Sequence, residues 1–228
     1  MNEVHSDILR ILKEKSVLKQ EVYDHTLETM DKIKEILKET VHYFNNELRD
    51  TDKRVHLEYT DRGEMEAQLK IAGDMLIFSM HSNVFEFNRE HPVWQLPYLK
   101  DDKTNSYCGI INIFNFLADS FKYNRFDDLG YLIGRIFINR QNHFMVEGKR
   151  QFGFFYNNFG KDILTLENLK QIIDNAIRYA LDFDLLVPPY EAVKVVTVGQ
   201  IHQKMENARI STGKRLGFTF NSDDVSNP

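Results

Sequence analysis

Arg135 is the charged residue whose surroundings point most directly to a binding role. It lies in the apolar run from Tyr131 to Phe137, and on a strand it would share a face with Tyr131, Ile133 and Phe137. A guanidinium on a buried face needs a partner, because an unpaired buried charge is strongly destabilising. Two partners remain open: a carboxylate from a neighbouring strand, which would make Arg135 structural, or an anionic ligand.

Basic and aromatic side chains alternate downstream of Arg135. Arg140 and His143 lie on the same predicted hairpin as the turn pair Lys149 and Arg150, and four aromatic residues follow that turn. Residues 118–160 carry six Lys and Arg against four Asp and Glu, a small basic excess. Such a surface can neutralise and stack on a nucleotide or single-stranded nucleic acid. Aromatic residues at this spacing are equally typical of a buried strand.

The histidines nearest to a metal-binding arrangement are His81 and His91, with Glu86 and Asn88 between them. Their spacing of ten residues is not diagnostic of a ligand pair. A polar surface explains the same residues without a metal ion. We therefore predict no metal site here.

The sequence lacks the motifs of common catalytic and cofactor sites. Neither Gly-Lys pair, at 148–149 and 213–214, has the further Gly and the Ser or Thr of a phosphate-binding loop. No two histidines are four residues apart, and no Gly-x-Ser-x-Gly sequence occurs. Cys108, the one cysteine, is expected to be a small buried strand residue. We predict a protein that is not an enzyme and has no cofactor.

The segment from Asn88 to Ser106 contains the only tryptophan, Trp94, together with two prolines. It shows neither helical nor strand periodicity, and it is long for a connection within a domain. Long connections of this kind often carry function. We predict a surface excursion anchored by Trp94 and Leu96, and we include Trp94 among the candidate ligand-binding residues.

Residues 4–48 predict a long helical segment. It contains no Gly or Pro, and apolar side chains recur at steps of three and four from Met30 to Leu48. Ser16 could cap a second helix, so we expect a break near that residue. The segment is longer than a small domain is broad. We therefore expect Leu18 and Val22 to provide a surface for self-association.

The next part of the chain, 54–157, predicts a large antiparallel sheet. Apolar and polar residues alternate at its start, which predicts a meander of four strands ending with Val84 to Phe87. Tyr107 to Leu117 and Gly130 to Arg140 predict long strands, the second returning through a hairpin at Asn142. Seven or eight strands in succession predict a large curved sheet or a half-open barrel.

The C-terminal part predicts helices over 166–208. Thr165 has the position of an N-cap, and an amphipathic stripe follows it. Residues 190–206 are interpreted as a second helix, although their valines also suit a strand. The predicted fold class is α+β, with an N-terminal helical segment over 1–50 and a single α+β domain over 51–228.

Composition limits the function classes. The 228 residues are 42% apolar and 28% charged, which excludes a disordered chain and a disulfide scaffold. The net charge of −5 argues against a protein dedicated to duplex DNA. No signal peptide is evident, and no apolar run reaches the roughly 20 residues of a membrane span. We expect a cytoplasmic protein that does not enter the membrane.

We predict a non-enzymatic binding or regulatory module that forms a homodimer through its N-terminal helix and binds its partner on the concave side of the sheet. An anionic ligand stays open as one of the two alternatives for Arg135. One alternative is a nucleotide- or nucleic-acid-associated protein that uses the basic and aromatic surface at 135–156. A second alternative is a hydrolase whose site is assembled from distant residues. The candidate ligand-binding residues are Arg135, Arg140, His143, Lys149, Arg150 and Trp94.

Overall fold

The computed structural model describes residues 3–126, 128–148, 158–182 and 197–198, together with the backbone of 185–186 and 218–219. Three predictions concern residues outside this part of the chain. They are the turn at Lys149 and Arg150, the strand over 152–156, and most of the second C-terminal helix over 190–206.

The N-terminal helix runs without a break through three segments. They are α1 (Glu3–Ile11), a π-helical segment (Leu12–Ser16) and α2 (Val17–Glu47). Ser16 has helical backbone angles, φ −74° and ψ −39°, and its side chain makes no capping hydrogen bond. The predicted break near Ser16 is therefore wrong, because a wider π turn carries the helix through this position.

Seven strands form one antiparallel sheet, in the order β1-β2-β3-β5-β6-β7, with β4 paired to β5. Their bounds are β1 (Leu57–Asp61), β2 (Glu66–Ile71), β3 (Asp74–Met80), β4 (Phe85–Glu86), β5 (Tyr107–Leu117), β6 (Tyr131–Asn139) and β7 (Phe144–Gly148). A fourth strand lies within the predicted range 84–87, but its predicted place in the meander is wrong, since β4 does not turn back along β3. It pairs with the first residues of β5, which lie beyond the end of β3.

A β-bulge interrupts the pairing of β5 with β6. Ile113 pairs with Gly134 and Phe114 pairs with Leu132, so Ile133 is an extra residue. Ile133 is buried in the core beneath the helices, whereas Arg135 lies on the other face of the sheet. The prediction that these two residues share a face is therefore wrong. The β6–β7 hairpin turns where predicted, with Asn142 in the left-handed region at φ 59°.

The remaining elements are short apart from the C-terminal helix α5 (Leu166–Leu181). Thr165 caps α5 as predicted, with Asn168 completing a capping box. The short elements are α3 (Pro97–Asp101), α4 (Ala118–Lys122), two 3-10 helices (Pro92–Gln95 and Lys103–Ser106), and the parallel pair β8 (Leu185–Leu186) and β9 (Phe218–Thr219). Within the described ranges, no helix is long and apolar enough to cross a membrane. The fold is α+β, as predicted.

Two apolar clusters lie on opposite faces of the sheet. The larger one joins the sheet to α2 and α5, and it includes Met30, Ile33, Leu37, Phe78, Ile113, Phe144, Leu169 and Ile173. The smaller one lies on the second face, opposite these helices, and consists of Val93, Leu99, Cys108, Ile110, Phe137 and Phe159 with partly buried neighbours. Leu18 and Val22 are only 3% and 0% exposed within one chain. The prediction that they form a self-association surface is therefore wrong.

Candidate functional site

The segment between β4 and β5 covers part of the second face with three short helices. Val93 and Leu99 are buried there, and Trp94 and Leu96 pack against the same apolar cluster, as predicted. The two 3-10 helices start at side-chain caps, which apolar periodicity does not indicate. His91 accepts a hydrogen bond from the Val93 N–H, and Asp102 accepts one from the Thr104 N–H.

Asn139, fully buried at the end of β6, fixes this segment to the sheet. Its Nδ2 donates to the Tyr98 hydroxyl at 2.8 Å and to the Asn105 carbonyl at 3.2 Å. Its Oδ1 accepts from the backbone N–H groups of Gln141 and His143, each at 3.0 Å. One side chain thus holds both the covering segment and the β6–β7 turn. The contacts with Tyr98 and Asn105 join residues 41 and 34 positions apart, and no local sequence pattern indicates them.

A cavity of about 580 Å³ lies between this segment and strands β6 and β7. Its volume falls within the range of small-molecule sites, and most of its walls are apolar. The lining residues are Phe87, His91, Pro92, Val93, Leu96, Arg135, Phe137, Met145, Val146, Glu147, Gly148 and Phe159. Of the four candidate residues that the structure describes, Arg135 alone lines this cavity, and Lys149 and Arg150 fall outside the described residues.

Arg135 has a carboxylate partner and also lines this cavity. Its Nη1 donates to Glu147 Oε2 on β7 at 3.0 Å, and its Nε donates to Asn112 Oδ1 on β5 at 3.0 Å. The side chains of Arg135 and Glu147 are 35% and 63% exposed, so this is not a buried ion pair. Exposed pairs contribute at most about 1 kcal/mol to stability, far less than a buried pair.

His91 brings a second polar group to the cavity. Its Nδ1 accepts the hydrogen bond from Val93, and its ring stacks on Phe87 with centroids 4.9 Å apart. In a neutral ring with Nδ1 accepting, the proton is on Nε2, which makes that atom a donor. The sequence analysis considered His91 only as a metal ligand with His81. The Nδ1 of His81 instead accepts from the Asn83 N–H.

Metal binding receives no support from this region. Glu86, one of the two acidic residues between the histidines, pairs with Arg89 at 2.9 Å. Across the described ranges, no group of three or more His, Cys, Asp or Glu side chains could hold a metal ion. Cys108 is buried, and this burial raises the pKa of its thiol. A thiol with a raised pKa is a poor nucleophile at neutral pH.

Arg140 lies outside the cavity, in an ion pair with Asp102 at 2.7 Å. Asp102 also accepts from the side chain and the backbone of Thr104, and the hydroxyl contact is the main cause of its lowered pKa. Arg140 therefore stabilises the covering segment at its 3-10 helix. Both arginines in the described part of the basic and aromatic surface thus already have carboxylate partners.

His143 and Trp94 also have structural contacts away from the cavity. His143 Nδ1 lies 3.0 Å from the Asp162 carbonyl, and the ring packs edge-on against Tyr98 at 4.9 Å. Trp94 Nε1 donates to the Asn88 carbonyl at 2.9 Å, which closes the start of the covering segment. Neither residue is brought next to Arg135.

The start of the N-terminal helix provides a second feature that a partner could contact. Neither α1 nor the π-helical segment contains a buried residue. We define the N-terminal patch as the exposed apolar residues Ile8, Leu9, Ile11 and Leu12, whose exposed fractions lie between 44% and 52%. Beyond the patch, the amino groups of Lys15 and Lys19 lie over the Tyr107 ring at the start of β5, at 5.7 and 5.9 Å.

Comparison with known proteins yields no relative from which a role could be transferred. No protein-family model, no curated protein and no solved structure matches the chain. The cavity and the N-terminal patch therefore provide the structural observations that bear on function.

Proposed function

We propose that this chain is a non-enzymatic binding module whose ligand site is the cavity between the covering segment and strands β6 and β7. The observation that carries the proposal is a space of about 580 Å³ with mainly apolar walls and one ion pair among its lining residues. Small-molecule sites combine these properties, since apolar walls supply affinity and a few polar groups fix orientation.

The polar groups of the cavity support binding rather than catalysis. Glu147 is engaged by Arg135, and the His91 nitrogen that could act as a base already accepts a backbone hydrogen bond. The buried free thiol of Cys108 supports a reducing compartment, and we place the module in the cytoplasm on that ground.

Binding of the uncharged dye N-phenyl-1-naphthylamine tests the cavity. We expect saturable binding with a blue-shifted emission, because the dye leaves water for aromatic walls. Met145, half-buried on β7, lines the cavity. Met145→Trp should weaken dye binding by about tenfold or more, since the indole occupies part of the space.

Met75→Trp is the matched control for this experiment. Met75 is a half-buried methionine on β3 that does not line the cavity. It should bind the dye as the wild type does. If Met145→Trp keeps its wild-type melting temperature and its wild-type dye affinity, the dye binds elsewhere and the proposed site is wrong.

We propose further that the module is a homodimer in which the N-terminal patch packs against the same patch of a second copy. The four apolar side chains cover about half of the helix circumference, and helices of this kind are stabilised by burying that face. Charge favours an antiparallel second copy. Glu3 and Asp7 precede Arg10, Lys13 and Lys15, among which Glu14 is the one acidic residue, so antiparallel helices place a net acidic stretch opposite a net basic one.

Sedimentation equilibrium at tens of micromolar tests the dimer. We expect the full chain to be dimeric and Ile8→Glu/Leu12→Glu to be monomeric, because two charges per chain would enter the apolar contact. Both residues are exposed in the single chain, so the melting temperature should change only through loss of the dimer. Tyr43→Glu, a change at an exposed residue of α2, is the control and should stay dimeric. A monomeric wild type would overturn this proposal.

A further inference from the structure

We infer that the ligand of this cavity is an apolar molecule with one acidic head group, a carboxylate or a sulfonate, which binds Arg135 in place of Glu147. The inference rests on the proposed function of the cavity and adds the chemical class of its ligand.

Arg135 is oriented by a contact that a ligand need not disturb. Asn112 on β5 accepts from Nε and so fixes the plane of the guanidinium. Nη1 points to Glu147, and within the described ranges no acceptor contacts Nη2. The two Nη groups form a planar fork that matches the two oxygens of a carboxylate or two of a sulfonate. The arginine is thus preorganised for an acidic head group.

Glu147 is a partner that a ligand can replace. It lies on β7, the last strand in the order of the sheet, and its side chain is far more exposed than that of Arg135. Released from Arg135, the carboxylate regains its hydration at little cost, since exposed ion pairs are weak. Without ligand, Glu147 compensates the charge of Arg135. With ligand, the acidic head group takes over that role.

The other groups that line the cavity favour a ligand with an apolar, planar body and a head group that accepts hydrogen bonds. His91 adds a donor at Nε2, as its tautomer requires. Phe87 lies 5.2 Å from Phe137 and 5.9 Å from Phe159, centroid to centroid, so three aromatic rings form a continuous wall. A cationic head group is disfavoured, because it would be repelled by Arg135, which is less exposed than Glu147.

Two dyes that share one aromatic skeleton test the head group directly. N-phenyl-1-naphthylamine is uncharged, and 8-anilinonaphthalene-1-sulfonate is the same skeleton with one sulfonate. We expect the wild type to bind the sulfonate more tightly. Arg135→Met should weaken sulfonate binding by about tenfold or more and leave binding of the uncharged dye nearly unchanged. Glu147→Gln should strengthen sulfonate binding severalfold, because the competing carboxylate is gone.

Two further variants complete the test. Arg140→Met, which removes an ion-paired arginine outside the cavity, should keep the wild-type preference between the dyes. Arg135→Lys keeps the positive charge but lacks the planar pair of Nη groups. Its preference for the sulfonate dye should therefore lie between those of the wild type and Arg135→Met. Near-ultraviolet circular dichroism of each variant establishes that the dyes report on folded protein.

The outcomes separate the inference from the function on which it rests. If both dyes bind in the cavity but Arg135→Met keeps the wild-type preference, the acidic head group is wrong and the binding site stands. If Glu147→Gln weakens sulfonate binding, the exchange of carboxylates is wrong. If neither dye binds the wild type, the proposed function fails and the inference fails with it.

Discussion

Asn139→Ala should lower the free energy of unfolding by about 4 kcal/mol. The side chain is fully buried and makes four hydrogen bonds, two as donor and two as acceptor. Alanine leaves the N–H groups of Gln141 and His143 without this acceptor, and an unsatisfied buried polar group costs about 1–3 kcal/mol. The Tyr98 hydroxyl and the Asn105 carbonyl lose their donor as well. Urea unfolding followed by circular dichroism measures the change.

Asn112→Ala is the matched control for this prediction. Asn112 is a half-buried asparagine on the adjacent strand β5, and it accepts a hydrogen bond from Arg135. Its loss should cost about 1 kcal/mol. Asn139→Asp keeps both acceptor contacts but places a carboxylate oxygen against the Asn105 carbonyl at a fully buried position, so it should destabilise the protein at least as much as Asn139→Ala. An Asn139→Ala variant as stable as Asn112→Ala would show that water replaces the side chain in all four contacts.

The Asn139→Ala variant also links the stability of the fold to the proposed binding site. Asn139 holds Tyr98 and Asn105, and these residues belong to the segment that forms one wall of the cavity. Loss of the Asn139 hydrogen bonds should therefore weaken binding of N-phenyl-1-naphthylamine, even under conditions in which the variant remains folded. Its effect on the dye thus resembles that of Met145→Trp, although the cavity keeps all its lining side chains.

Elements with a strong local pattern were predicted correctly from the sequence. The stripe from Met30 onward follows helical periodicity and packs against the sheet, and the apolar run of β5 forms a central strand. The Thr165 cap and the turn at Asn142 rest on side-chain and backbone preferences of single residues. In each of these cases the information lies within a few residues of the element itself.

Features that depend on pairing between distant residues were not predicted. The bulge at Ile133 changes which residues share a face with Arg135, and only the register against β5 reveals it. Periodicity also indicates that Leu18 and Val22 lie on an apolar stripe, but it does not indicate where the sheet ends beneath the helix. The candidate site shows the same limit, since its cavity forms only where the covering segment meets β6 and β7.

Gly109→Ala should destabilise the protein by about 3 kcal/mol or more, because it forces α2 away from β5. A Cβ built at Gly109 would lie 1.9 Å from Thr26 Oγ1 and 2.8 Å from Thr26 Cβ. The Thr26 side chain is fully buried and cannot rotate away without breaking its 2.6 Å hydrogen bond to the Val22 carbonyl. The helix can approach the strand this closely only over a glycine.

Gly63→Ala is the control that separates crowding from backbone strain. Gly63 has φ +94° and no atom within 4 Å of a built Cβ, so its substitution costs only about 1 kcal/mol of conformational strain. Adding Thr26→Ala to Gly109→Ala should restore part of the lost stability, since it removes the Oγ1 contact and leaves the 2.8 Å approach of the two Cβ atoms. Equal losses for Gly109→Ala and Gly63→Ala in urea unfolding would contradict the close packing of α2 on β5. A double variant no more stable than Gly109→Ala alone would instead place the crowding in the backbone of the helix.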